Sequence, residues 1–189
     1  MATEVWTRTR RWLTIGAGVV LLGLALLFTA SWVMRDTSPQ YSTQARTGSG
    51  ELLKLTLPDD STVALNRNTA LAVAYFSRRR RIALGSGEAF FHVRWQRRAA
   101  FEVSNGPDTI EIVGTRVPVP DTRFNVRATP DALQVQVQAG TVRVQTPAAG
   151  PRDYVELHAG DSLTLWRDQR PHELARVDPA SVGGWLGAP

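Results

Sequence analysis

The 189-residue chain contains no cysteine. That excludes a disulfide framework, a thiolate metal site and a cysteine nucleophile. It leaves the compartment open, because an exported protein can fold without disulfides. Histidine is scarce. His92, His158 and His172 stand far apart and lack carboxylate neighbours at ligand spacing, so no metal site is expected. Helical periodicity is missing after Met34. A strong charge excess on the bulk of the chain is missing too. The net charge is +5, but residues 1–11 hold Arg8, Arg10 and Arg11 against Glu4, leaving 19 basic and 16 acidic side chains elsewhere. Near balance and the lack of a recognition helix argue against nucleic-acid binding. Apolar residues at 43% and charged residues at 21% fit a globular chain.

What is present begins with an uncharged run. Residues 12–34 contain no Asp, Glu, Lys or Arg. About 20 apolar residues suffice to cross a bilayer core as a helix. Trp12 and Trp32 flank the run, where indoles favour the lipid–water interface, and Arg10 and Arg11 precede it. The expectation is one transmembrane helix, with residues 1–11 in the cytoplasm and the rest in the periplasm of a bacterial inner-membrane protein. A cleaved signal peptide fits less well, because its apolar core runs only about 7–15 residues. A buried core helix would need a polar face, and the run has none. Residues 35–50 are polar and read as a linker, and residues 167–189 as a C-terminal tail.

Between them, residues 51–166 follow a period of two. Leu53, Leu55 and Leu57 alternate with polar neighbours, as do Val63 and Leu65, Leu71, Val73 and Tyr75, then Ile82 and Leu84. After Gly85-Ser86-Gly87 the pattern resumes at Ala89, Phe91 and Val93. It continues through Phe101 and Val103, Ile110 and Ile112, Phe124 and Val126, and Leu133, Val135 and Val137. Val142 and Val144, Val155 and Leu157, and Leu163 and Leu165 complete it. This predicts an all-β domain of about twelve short, mainly antiparallel strands, sandwich-like or a short solenoid. The stretch 80–93 reads as strand, glycine turn, strand.

Candidates for chemistry are few. Arg78, Arg79, Arg80 and Arg81 form the one dense charge run and are the candidate docking edge for an acidic partner surface. The bland alternative is a solvated strand edge, where charge discourages edge-to-edge pairing. Glu88 lacks a second carboxylate at a telling spacing. Ser61, Ser86 and Ser104 lack a nucleophile-elbow context. Gly85-Ser86-Gly87 precedes a strand rather than a helix and so is no phosphate loop. Asp59, Asp60 and Asp161 sit where turns favour aspartate. Phe90, Phe91, Trp95 and Phe101 read as packing residues, the alternative being an aromatic platform that includes Trp166 and binds glycan or protein. Neither an enzyme nor a cofactor site is expected.

Six segments, in order, resemble the FecR domain of bacterial transmembrane sigma-factor regulators. Leu57-Pro58-Asp59-Asp60-Ser61-Thr62-Val63-Ala64-Leu65-Asn66 resembles "L-x-D-G-S-x-V-x-L-N", with Asp60 in place of glycine. The stretch Arg81 to Val93 resembles "R-x-V-x-L-x-x-G-E-A-F-F-x-V". Arg98 to Val103 resembles "R-P-F-x-V" without the proline, and Thr122 to Arg127 resembles "G-T-R-F-N-V-R" with Asp121 for glycine. Val135 to Val144 resembles "V-x-V-x-x-G-x-V-x-V", and Leu157 to Leu163 "L-x-A-G-Q-x-L". Trp185 matches a tryptophan found shortly after the family's domain. The resemblance implies a non-enzymatic inner-membrane signalling protein. Its partners would be the periplasmic signalling domain of a TonB-dependent transporter, often one loaded with ferric siderophore, and an extracytoplasmic-function sigma factor. The family's sigma-binding helical domain is not matched by the 11 residues before the span.

Overall fold

The computed structural model describes residues 38–96, 99–112, 121–145, 153–168 and 170–187. The alternating segments form thirteen strands. They are β1 (Tyr41–Arg46), β2 (Leu53–Thr56), β3 (Thr62–Leu65), β4 (Ala70–Tyr75), β5 (Arg79–Val93), β6 (Ala100–Asn105) and β7 (Asp108–Ile112). They continue with β8 (Thr122–Ala128), β9 (Ala132–Ala139), β10 (Thr141–Gln145), β11 (Val155–His158), β12 (Asp161–Trp166) and β13 (Glu173–Arg176). Two 3-10 turns, Pro179–Ser181 and Gly184–Gly187, follow. The all-β expectation holds. Two boundaries move: residues 41–46, read as linker, are a strand, and residues 173–176, read as tail, are another.

β5 organises the sheet. The expected glycine turn is instead a bend inside one strand of 15 residues. Its first half pairs with β4 on one side and β6 on the other. Its second half pairs with β3 and β8. One strand thus belongs to two wings. The first wing is β1-β4-β5-β6-β7-β10-β11, and the second is β2-β3-β5-β8-β9-β12-β13. The wings close on one core. Phe91 of the second wing stacks on Phe124 at 4.9 Å and meets Phe101 of the first wing edge-on at 6.3 Å. The inward residues predicted from the period-two pattern, from Val63 to Leu165, line this core; Leu53, Leu55, Ile112 and Val155 sit half-buried at its rim.

Of the twelve described pairings, only β5 with β6 is parallel. The bend explains it. β5 ends in the second wing, and the chain returns to the first wing to start β6 beside Arg79–Ala83. A tight hairpin could not make that connection.

Gly87 sits at the bend with φ +92°. A Cβ there would lie 2.5 Å from the Thr69 Cα. Thr69 fills the inside of the corner: its hydroxyl accepts from Glu88 N at 3.0 Å and donates to Glu88 O at 3.1 Å. Only glycine supplies both the conformation and the clearance. Asp60, which stands where the family pattern has glycine, also has positive φ, +61°. Its N–H closes the turn onto Leu57 O. Asp121, at the other missing glycine, carries a carboxylate that reaches His92 Nε2 at 2.9 Å.

These turns predict opposite outcomes. Gly87→Ala should destabilise the domain by about 3 kcal/mol, from strain plus the clash. Asp60→Gly should stabilise it by up to about 1 kcal/mol by removing a left-handed non-glycine residue. Urea denaturation followed by circular dichroism measures both. A lower midpoint for Asp60→Gly, or an unchanged one for Gly87→Ala, contradicts these roles.

Candidate functional site

Two polar constellations hold the residues of the family-like segments. The first is inside. Arg80 shares the inward face of β5 with Ile82 and Leu84 and is 4% exposed. Its guanidinium ion-pairs with Asp59 in the β2–β3 turn, both side chains 5% exposed. It also donates to Arg94 O at 3.1 Å, beyond the end of β5, and to Ala99 O at 2.9 Å, before β6. The Phe101 ring lies 5.1 Å from its Cζ. Asp59 further accepts from Tyr75 Oη at 2.9 Å and Ser61 Oγ at 2.8 Å. Ser61 Oγ in turn accepts from Arg94 N at 3.0 Å. The cluster joins the β2–β3 turn, the end of β4, both ends of β5 and the approach to β6.

Burial pushes the Asp59 carboxyl up, but hydrogen bonds from Arg80, Ser61 and Tyr75, with the Arg80 charge, outweigh it and hold it below its ordinary value. Burial, and then the Asp59 charge and hydrogen bond, drive the Tyr75 hydroxyl well above its ordinary value. Both shifts favour an ionised Asp59 and a neutral, donating Tyr75.

The second constellation lies on the outer face of the second wing. Glu88, Phe90 and Asn125 point away from the core, because Ala89, Phe91, Phe124 and Val126 point into it. Both Glu88 carboxylate oxygens are held: Oε2 accepts from Asn66 Nδ2 at 2.8 Å and Oε1 from Asn125 Nδ2 at 2.7 Å. Asn125 Oδ1 accepts from Trp185 Nε1 at 3.1 Å. Asn66, Glu88, Asn125 and Trp185, which belong to four separate segments of the chain, are therefore one hydrogen-bonded row. Glu88 is its central acceptor, with one amide donor on each carboxylate oxygen.

The arginine run divides. Arg78, Arg79 and Arg81 are exposed, and Arg81 pairs with Glu102 at 3.3 Å. Arg80 is a correction: its burial removes it from any docking edge. It also shifts the family alignment by one residue. Counting back from Leu84 and Gly87, the arginine of "R-x-V-x-L-x-x-G-E" falls on Arg80 rather than Arg81. Arg10, Arg11, Trp12 and Trp32, with the span 12–34, lie outside the described residues. Among the described residues no helix is long and apolar enough to cross a membrane.

The remaining candidates separate as well. His92 pairs with Asp121, His158 is near Glu156 at 3.7 Å, and His172 is exposed. Among the described residues no group of three potential ligands gathers. Among the described residues the candidate aromatic side chains do not gather into one platform. Phe90 is 8% exposed beneath the C-terminal segment, Trp166 carries the Arg170 guanidinium 4.0 Å above its ring, and Trp95 is 37% exposed.

Asp59→Asn leaves a buried guanidinium without its counter-charge and should cost about 3–5 kcal/mol. The pH dependence has a definite sign. A carboxyl depressed in the folded state contributes stability above its unfolded pKa of about 3.9, lost as pH falls through the folded value. Wild-type stability should therefore drop on acidification through and below that range, and Asp59→Asn should flatten the drop. Urea midpoints between pH 7 and pH 2.5 would check both; equal slopes for the two proteins would refute the role given to Asp59.

The FecR protein family profile matches residues 43–143, more than half of the chain. That range contains both constellations apart from Trp185. Comparison with curated proteins finds no match. Two crystal structures of a proposed anti-sigma factor from Parabacteroides distasonis ATCC 8503, at 2.50 Å and 1.65 Å resolution, share the fold with a TM-score of 0.66 each. Identity is 24%, and the likeness covers 78% and 77% of this chain. The chain spans 66% and 65% of the length of those two. The profile match spans more than half of the chain and includes Asp59, Arg80, Gly87 and Glu88, and this chain belongs to the FecR family.

Proposed function

We propose that this protein is a non-catalytic signalling protein of the FecR type that regulates a sigma factor. The observation that carries the reading is the family match over residues 43–143. The fold it shares with a protein described as a proposed anti-sigma factor supports it. So does the use made of the polar family-like residues. Asp59 and Arg80 are consumed in closing the core, and Glu88 in fastening the outer face, which suits a module that works by binding.

In this reading residues 12–34 anchor the chain in the inner membrane, the N-terminus is cytoplasmic and the β domain is periplasmic. The domain receives a signal from the periplasmic signalling domain of a TonB-dependent transporter, ferric siderophore uptake being the source. It passes the signal towards an extracytoplasmic-function sigma factor. Arg78, Arg79 and Arg81 lie at and beside the first residue of β5 and offer an acidic partner a positive edge.

A promoter-fusion reporter for each extracytoplasmic-function sigma factor of the source organism tests the regulatory role. Deleting the gene should change the output of one of them at least about fivefold; unchanged output from all of them refutes it. Calorimetry tests the transporter step separately. One signalling domain should bind, and the double variant Arg78→Glu/Arg79→Glu should weaken it at least about tenfold with an unchanged circular dichroism spectrum. No binding by any signalling domain, or full affinity in the variant, removes that partner or that edge.

A further inference from the structure

Phe90 poses a packing problem that the sheet itself does not solve. It stands on the outer face of the second wing, where its neighbours across the strands are Ala64 on β3 and Asn125 on β8. Neither can cover a phenyl ring: one is too small, the other polar. Yet Phe90 is only 8% exposed. The cover is the C-terminal segment 177–187. Gly183, at φ +75°, lies so close that an added Cβ would be 2.5 Å from one ring carbon and 2.8 Å from another. Val182, beside it, is 3% exposed.

Three hydrogen bonds key this segment to the rest of the domain, the first from Val177 N to Gly160 O at 2.9 Å. Gln138 Nε2 on β9 donates to Val182 O at 3.0 Å. Trp185 Nε1 donates to Asn125 Oδ1 at 3.1 Å. The backbone in between satisfies itself. Asp178 caps the first 3-10 turn through Ala180 N at 2.9 Å, Ser181 Oγ donates to Asp178 O at 2.7 Å, and Leu186 N donates to Gly183 O. The segment hangs from β13, an edge strand of 4 residues that are all exposed. Beyond β13 it is held by those three hydrogen bonds and by the contact of Gly183 with the Phe90 ring. A unit with local internal bonds, a small apolar contact and an exposed tether opens far below the cost of global unfolding.

We infer that residues 177–187 are a releasable strap, and that the seat beneath them (Phe90, Asn125 and Gln138) is a peptide-binding site. The strap is the template for its ligand: a protein segment with glycine at the ring and tryptophan two residues later. Glycine is required because any side chain meets Phe90, and the indole is required because Asn125 Oδ1 needs its N–H. When the strap is seated the site is closed, so the chain competes with its own partner. Neither a sigma factor nor a transporter is needed for this competition to operate.

The test uses the full chain in detergent micelles, in three forms: wild type, Gly183→Ala and a chain ending at Val177. Hydrogen exchange read by mass spectrometry should show amides 178–187 exchanging at least about tenfold faster than β5 and β8 in the wild type. In Gly183→Ala they should lose protection while β5 and β8 keep theirs. A fluorescein-labelled peptide of residues 177–187 should bind Gly183→Ala and the shortened chain, and not the wild type at the same concentration. The same peptide carrying Trp185→Ala should bind at least about tenfold more weakly, as a central indole anchor implies. The inference fails if the strap exchanges with the core, or if β5 and β8 lose protection in both altered chains. It also fails if the peptide does not bind a vacated seat, or binds equally well without its tryptophan.

Discussion

The ion pair of Arg80 and Asp59 is the constraint on which the shape of the domain depends. β5 changes partners at Gly87, from β4 and β6 to β3 and β8, and its two ends are brought back towards each other. Nothing in a strand does that unaided. Arg80, at the start of β5, reaches the carbonyl of Arg94 just past its end, and Asp59 supplies the charge that makes burying a guanidinium tolerable. A buried ion pair adds little net stability, because desolvation offsets the attraction. Its contribution here is geometric. Of all the ways two seven-strand wings could close, it selects the one in which Asp59, Arg94 and Ala99 converge on one guanidinium, with Tyr75 donating to Asp59 from behind. A second arginine works at the other end of the wings. Arg167, just after β12, ties to Asp108 at 2.6 Å and to Asn105 in the β6–β7 hairpin.

Fixing the wings also fixes the outer face. Because Phe91 and Phe124 are held inward, Phe90 and Asn125 have to be outward, and Glu88 follows by parity. The family-like residues therefore divide by face. Asp59 and Arg80 serve the inside of the fold, while Asn66, Glu88, Asn125 and Trp185 serve the outside. Glu88, in the middle of a β signature, ties Asn66 and Asn125 of that outside together, one amide on each carboxylate oxygen.

Much of this architecture is legible in the order of residues alone. Period-two alternation identifies the core, because a strand with one buried face has no other way to hide its side chains. The same rule locates Arg80. It stands two residues before Ile82 and four before Leu84, so it shares their inward face, whereas Arg81 does not. The density of the arginine run conceals this, since four adjacent charges look like one surface. β1 is harder to see because its inward residues are Tyr41, Thr43 and Ala45, a weak apolar signal inside a polar stretch. The pairing of distant segments is not legible at all. That Glu88 meets Asn125, 37 residues away, and that residues 177–187 cover Phe90 are consequences of strand order, which local patterns do not encode.

Four strands, β3, β4, β6 and β8, hydrogen-bond directly to β5. A chain is made and delivered from its N-terminus, so this arrangement imposes a timetable. β1 to β4 are available first, yet β3 and β4 pair not with each other but with β5. β3 can pair with β2 and β4 with β1, but each keeps its other edge open until its half of β5 has emerged. Both wings wait longer still, the first for β11 and the second for β13. Chains whose early strands depend on late ones assemble slowly and expose unpaired edges meanwhile. The sparse apolar character of β1 and the alanines along the outer side of β4 then acquire a use. Weakly apolar strands are the ones least prone to adhere to other chains while an edge stands open.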